Sequence, residues 1–195
     1  MSKASTFIKI PRDRIGAVIG PDGRVKAYIE KKLNVELEID SSTGEITIML
    51  DPNAQDPSML FRAKEVITAI GRGFSPERAF RLLRNEDTML EVIDLRRTVG
   101  KSPADIQRLK GRIIGKAGKT RRIIEELTDA DISVYGHTVS IIGSFDQTDA
   151  AREAVRMMIK GSQHSTVYRF LQKKRQELKR KKLELWETPH EGLEK

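Results

Sequence analysis

The sequence predicts an α+β protein made of two similar units, each in the order β-α-α-β-β-α. Two observations predict it. An Ile-Gly-x-x-Gly tetrad occurs twice, as Arg14-Ile-Gly-Ala-Val-Ile-Gly-Pro-Asp-Gly-Arg24 and Lys110-Gly-Arg-Ile-Ile-Gly-Lys-Ala-Gly-Lys119, so that Gly16, Gly20 and Gly23 fall on Gly111, Gly115 and Gly118 at a constant offset of 95 residues. Around each tetrad apolar residues recur at helical spacing, and two short alternating runs follow. A repeat of this size in 195 residues, 38% of them hydrophobic, favours two small domains over one.

In the first unit Thr6 to Ile10 read as a strand that stops at Pro11, and Ile15, Val18 and Ile19 fall on one side of a short helix. Past Gly20-Pro-Asp-Gly23, Val25, Tyr28, Ile29 and Leu33 continue at helical spacing, which places Tyr28 between helix and sheet. Val35, Leu37 and Ile39 alternate with Glu36, Glu38 and Asp40, the pattern of a half-buried strand. Ser41 to Gly44 turn the chain, and Ile46, Ile48 and Leu50 return as the partner strand. A loop with Pro52 and Pro57 leads to a helix from Ser58 to about Ile70, ended by Gly71 and Gly73.

The second unit repeats the order. Met89 to Leu95 read as a strand, and Ser102-Pro103 set a cap residue and a first-turn proline ahead of a helix that runs to Ile114. Gly115-Lys-Ala-Gly118 breaks it, and Ile123, Ile124 and Leu127 mark its successor. Ile132 and Val134 belong to a strand, Gly136-His137 to a tight turn, and Val139, Ile141 and Ile142 to the return. Ala151, Ala154, Val155 and Met158 line a helix from about Thr148 to Lys160. The expected boundaries are 1–73 and 88–163 for the units. Residues 74–87, opened by Ser75-Pro76, form a bridging helix, and 164–195 form a basic carboxy-terminal helix and tail. That last helix spans Thr166 to Trp186 with eight basic residues between Arg169 and Lys182, and the chain frays beyond Pro189.

Composition narrows the function classes. The chain lacks cysteine, and His137, His164 and His190 show no ligand spacing, so neither disulfide nor metal site nor other cofactor is expected. Nothing approaches the run of about 20 apolar residues that spans a bilayer, so no membrane contact is expected, and a cytoplasmic location fits. The net charge of +8 is concentrated in the second half: residues 88–195 carry 22 Lys and Arg against 15 Asp and Glu. Between Arg96 and Arg122 stand ten basic residues and one acid, Asp105. Such a density points to a polyanionic partner, although a charge run also serves as a plain solvated face.

The two units with Ile-Gly-x-x-Gly between their first two helices resemble KH domains, a single-stranded nucleic-acid-binding family. The resemblance implies two three-stranded sheets packed on helices, with each Gly-x-x-Gly loop clamping a stretch of nucleotide backbone and bases lying in an apolar groove beside it. The residues fit that role on physical grounds. Glycines let phosphates approach the main chain, and the next helix offers its unpaired N–H groups and positive dipole end. In the second unit Lys110, Gly111, Gly115, Lys116, Ala117, Gly118, Lys119, Arg121 and Arg122 form the expected clamp. Arg112 stacks on a base or pairs with phosphate, and Ile113, Ile114 and Ile132 supply the apolar wall. In the first unit Gly20, Pro21, Asp22 and Gly23 form a weaker site, because Pro21 removes an N–H and Asp22 sets a carboxylate in the phosphate path. Arg14, Arg24 and Lys26 partly compensate. Tyr135 is the one stacking candidate near the groove, and Trp186 belongs to the tail.

Rival readings are weaker. Gly118-Lys119-Thr120 imitates the end of a phosphate-binding loop, but its first glycine would fall on Ile113 and a helix precedes it. A helix-turn-helix DNA reader also joins two helices through a glycine turn, yet here a hairpin follows each pair. No paired histidines, metal-ligand cluster or nucleophile-base pair has motif spacing, and acids such as Asp94, Asp129 and Asp131 read as caps, turns or salt-bridge partners, so an enzyme is not expected. With Ile10-Pro-Arg-Asp-Arg-Ile-Gly ahead of the first tetrad and a long basic tail helix, the chain is similar to the archaeal form of the small-subunit ribosome-assembly factor called partner of Nob. That resemblance implies binding to the 3′ end region of small-subunit ribosomal RNA, near its maturation site. It also implies contact with the Nob endonuclease and with the alpha subunit of translation initiation factor two. A protein-interaction scaffold with incidental RNA contact stays open beside it.

Overall fold

The computed structural model describes residues 4–54, 56–100 and 102–187, and side chains at 181, 182 and 184–187 fall outside it. The expected frayed end beyond Pro189 and the side chains of Leu185 and Trp186 therefore lie outside the described residues. The first unit comprises β1 (Ser5–Lys9), α1 (Ile15–Ile19), α2 (Arg24–Leu33), β2 (Val35–Asp40), β3 (Glu45–Leu50) and α3 (Met59–Gly71). A bridge of two short helices follows, α4 (Pro76–Ala79) and α5 (Arg81–Arg84), in place of one continuous helix. The second unit comprises β4 (Met89–Asp94), α6 (Arg96–Val99), α7 (Pro103–Ile114), α8 (Lys119–Thr128), β5 (Asp131–Tyr135), β6 (Thr138–Gly143) and α9 (Phe145–Ile159), and α10 (His164–Glu187) forms the tail.

Both sheets are antiparallel and of the same order, β1-β3-β2 and β4-β6-β5, with the last strand of each unit central. In the first, Leu37 pairs with Ile48 and Ile8 with Ile46, so the inward residues of neighbouring strands stack on one face. They meet Ile29 of α2 and Val66, Ile67 and Ile70 of α3 in a core from which water is excluded. The second core joins Ile113, Ile124, Ile132, Val139, Ile141, Ala154, Val155 and Met158 in the same layers. Burial of each such aliphatic side chain contributes about 1.5–3 kcal/mol, which is what holds helices to sheet in units this small.

The outer faces of the two sheets differ. Leu90 and Ile142 point away from the second core and pack into the first, so the outer face of the second sheet is covered over much of its extent, with Val92 at its open end. The first sheet leaves its outer face to Glu36, Glu38 and Phe7, the last 77% exposed. Polar contacts reinforce the junction. Ser133 donates to the Arg72 carbonyl at 2.9 Å, and Asp131 receives both Arg81 at 3.1 Å and Arg78 at 3.3 Å. Gly73, at φ 97°, lies so close that a Cβ there would be 2.7 Å from Ser133 Oγ and Tyr135 Cβ.

Two further expectations are corrected. Tyr28 does not pack between helix and sheet: it is 46% exposed and meets Phe80 of the bridge, ring centres 4.5 Å apart. The helix expected from Thr148 starts at Phe145, because Ser144 and Gln147 form a reciprocal capping box. The root of the tail helix belongs to the second core, where Val167 and Leu171 are buried.

Candidate nucleic-acid interface

The two Gly-x-x-Gly loops have one backbone. Gly20 and Gly115 adopt φ/ψ of 73°/174° and 74°/175°, Asp22 and Ala117 adopt 52°/27° and 51°/30°, and Gly23 and Gly118 adopt 73°/11° and 75°/12°. At the first glycine the need is doubled. Its φ is positive, and a Cβ would lie 2.4 Å from Val25 Cγ2 at Gly20 and 2.3 Å from Thr120 Oγ1 at Gly115. Gly20 and Gly115 close the preceding helices by donating to the Gly16 and Gly111 carbonyls at 2.9 and 2.8 Å. Each loop then delivers the chain into α2 or α8 with the helix's positive end at the loop.

Side chains separate the loops. In the second, Lys116, Ala117 and Lys119 are exposed, and Arg122 donates to the Ala117 carbonyl at 3.0 Å, which fixes a cation against the loop. Lys110 is half-buried and Gly111 exposed one turn earlier. Arg121 lies 3.8 Å from Glu125. In the first, Pro21 has no N–H to offer, and exposed Asp22 takes Arg24 at 3.5 Å, so loop carboxylate and loop cation offset each other. Lys26 is turned to Glu30 at 3.8 Å.

Several expected contacts are corrected. Ile113 and Ile132 are 0% exposed and belong to the core, so neither presents a wall to a base; of the three isoleucines only Ile114 is partly open. Their positions on helix and strand turn them to the inner face, and apolar spacing alone does not separate core from groove. Arg112 is not a free guanidinium: it donates to the Ser162 carbonyl, while its own carbonyl meets His164 Nε2 at 3.0 Å. Thr120 Oγ1 and the Tyr168 hydroxyl lie 3.0 Å apart. These three contacts brace the second loop on the root of α10. Arg14 likewise donates to the carbonyls of Ile70 at 2.9 Å and Phe74 at 2.6 Å, tying the start of α1 to the end of α3 and the segment after it instead of facing a ligand. Tyr135 donates to the Asp13 carboxylate and lies under the Arg14 guanidinium, 5.8 Å from ring centre to Cζ, so it joins the units and does not stack on a base.

One repeated device was not expected from the sequence. The main-chain N–H of Leu37 donates to Glu30 Oε1 at 2.9 Å, and that of Ile132 to Glu125 Oε1 at 2.8 Å, again 95 residues apart. Each glutamate caps an N–H of the edge strand beside the loop, and in the second unit Arg78 of the bridge holds Glu125 at 3.0 Å. Two glutamates at the repeat offset were the available signal. Burial and the nearby Arg96 push the His137 imidazole below its ordinary value. Among the described residues no cluster of three or more metal-ligating side chains occurs, and no helix is long and apolar enough to cross a membrane.

Comparison with known proteins agrees with this geometry. Residues 5–69 match the KH domain family and residues 89–176 the eukaryotic-type KH domain (KH-domain type I). The chain is 47% identical to the KH domain-containing protein MJ0443 of Methanocaldococcus jannaschii, over 94% of its own length and 80% of that protein. It is 31% identical to the RNA-binding protein PNO1 of Oryzias latipes over 72% of its own length, and it spans 58% of that relative. The solved a/eIF2alpha-aDim2p-rRNA complex of Pyrococcus horikoshii contains a chain 44% identical to this one, covered at 90% and 96%, with a TM-score of 0.84. Two KH units in tandem, matched along both halves by such relatives, place the chain in the PNO1/Dim2 family of tandem KH-domain ribosome-assembly factors.

Proposed function

We propose that this protein binds single-stranded RNA at the 3′ end region of small-subunit ribosomal RNA, without catalysis, and that the second Gly-x-x-Gly loop carries most of the affinity. The observation that supports it is the contrast between two loops of one backbone, cationic with an N–H at Lys116 in one, and Pro-Asp in the other. The RNA contacts are Lys116, Ala117, Gly118, Lys119 and Arg122, with Gly115 shaping the loop, Lys110, Gly111 and Arg121 at its margin, and Ile114 as the apolar neighbour. Gly20, Asp22, Gly23, Arg24 and Lys26 make a weaker contact. Residues 1–73 and 88–163 act as the two RNA-facing domains, 74–87 as the bridge, and 164–195 as a basic tail whose first turns complete the second core. The named complex of the Pyrococcus relative supports ribosomal RNA and the initiation-factor alpha subunit as partners here. Resemblance to the partner-of-Nob family supports the Nob-type endonuclease as a third, and a cytoplasmic location.

Lys116→Asp with Ala117→Asp tests this reading in a gel-shift or anisotropy titration. Asp22 already occupies the backbone conformation of Ala117, so an aspartate is accommodated there. A fall of at least about tenfold in affinity for single-stranded RNA is expected, the scale of one charge-assisted hydrogen bond. Unchanged affinity contradicts the proposal, and preference for duplex DNA revives the helix-turn-helix reading.

A further inference from the structure

Away from both loops, the amino-terminal ends of the two closing helices, α3 and α9, line one cleft of about 780 Å³ with the 86–89 segment between them. Phe61 on α3 and Phe145 on α9 are 69% and 65% exposed there, and Met89 is 37% exposed beside them. Two of the chain's six phenylalanines thus stand in water at one place. A contiguous exposed apolar patch of this kind marks an interaction surface.

The rim gives the sign of the partner. Glu65, Glu86, Asp87 and Asp146 line the cleft in a chain whose net charge is +8. Its one lining cation, Arg62, is committed to the carbonyls of Thr88 at 3.0 Å and Glu86 at 2.7 Å and to Glu65 at 3.6 Å. Glu86, Asp87 and Asp146 make no ion pair among the described residues. RNA is repelled from such a rim. Apart from Met89, the first residue of the edge strand β4, the walls are helix ends and a loop, which suits side-chain anchoring by a helix over strand addition.

We propose that this cleft docks a lysine- and arginine-rich amphipathic helix of a partner protein, whose aliphatic side chains insert between Phe61 and Phe145 while its cations meet Glu86, Asp87 and Asp146. The surface is separate from the RNA loops and does not rest on the RNA reading. It allows RNA and a basic protein to be held at once on different faces.

The probe is a synthetic 18-residue helical peptide of lysine and leucine, leucines at i, i+3 and i+4 spacing, with a glutamate-for-lysine control. Each is titrated into the full chain labelled with fluorophenylalanine, read by calorimetry and fluorine NMR. The lysine peptide is expected to bind and to shift the Phe61 and Phe145 signals. Phe61→Ser with Phe145→Ser, and independently Glu86→Lys with Asp87→Lys, are each expected to weaken it at least tenfold and to leave single-stranded RNA affinity within twofold. Absence of peptide binding, equal binding of the control, or binding unaffected by either double variant overturns the proposal. Self-association of the wild-type chain in sedimentation, abolished by the same variants, also overturns it, by making a second copy the occupant.

Discussion

The two KH units carry the same loop backbone to within a few degrees, yet one sheet packs residues of both faces into cores and the other is open on one face. Repetition has preserved what glycine geometry enforces and released what side chains decide. In the second unit the loop is braced by α10 through Arg112, Thr120 and Tyr168, and its strand β5 is engaged by the bridge and the first unit through Asp131, Ser133 and Tyr135. In the first unit the corresponding loop pairs Asp22 with Arg24, and its sheet presents glutamates to solvent. A shared fold thus carries two different loops, one cationic and braced, the other with its carboxylate and cation paired.

The strongest way to break the shared part of the comparison is Gly115→Ala. Its Cβ would meet the Thr120 main-chain nitrogen at 2.8 Å as well as Oγ1, at a φ that L-residues avoid. Destabilisation of about 2–4 kcal/mol is expected, and Gly20→Ala against Val25 is expected to match it; equal melting temperatures to wild type would contradict the shared requirement. Gly73→Ala probes the junction instead. Forcing Ser133 and Tyr135 away is expected to cost about 1–3 kcal/mol, and denaturant unfolding followed by separate probes in each unit is expected to split into two transitions. A single unshifted transition would mean that the junction does not couple the units.

Smaller effects sharpen the contrast. Ala117→Gly removes the left-handed strain of an alanine and is expected to stabilise by about 1 kcal/mol, whereas Asp22→Gly gains less, because aspartate tolerates that region; thermal melts of both variants decide. In the first unit's β2–β3 hairpin, Asp40 accepts from the Ser42 hydroxyl and N–H and the Thr43 hydroxyl, which lowers its carboxyl to about 2. A depressed folded value means that this turn's contribution is present above the unfolded carboxylate value near 4 and disappears as pH falls towards about 2. Amide signals of Ser42 and Thr43 should shift in that window. Fast exchange of both amides at neutral pH would contradict the turn.

Much of the fold was legible because period and glycine are local signals. The alternation Val35-Glu-Leu-Glu-Ile39 and the paired tetrads demanded strands and helix joints where they are found. The capping box of Ser144 and Gln147 is equally local, although the expected helix started later. The junction was not legible, since Leu90, Ile142 and Ser133 lie on strand faces whose partner comes from a distant part of the chain, as Arg72 does for Ser133. The site divided the same way. Loop glycines and exposed lysines followed from spacing, whereas the restraint of Arg14 and Arg112 and the burial of Ile113 and Ile132 depend on what packs over them.

Exchange of the two dipeptides tests the central claim most directly, because each loop shows that the other's residues fit its backbone. Affinity for a single-stranded RNA from the 3′ end of small-subunit ribosomal RNA is measured across salt for Lys116→Pro/Ala117→Asp and for Pro21→Lys/Asp22→Ala. The first pair is expected to weaken binding at least about tenfold and to flatten the salt slope by about 0.7 for each phosphate no longer engaged, while the second leaves affinity unchanged or raises it. An undiminished affinity in the first pair, or a fall confined to the second, would contradict the assignment of RNA binding to Gly115–Gly118.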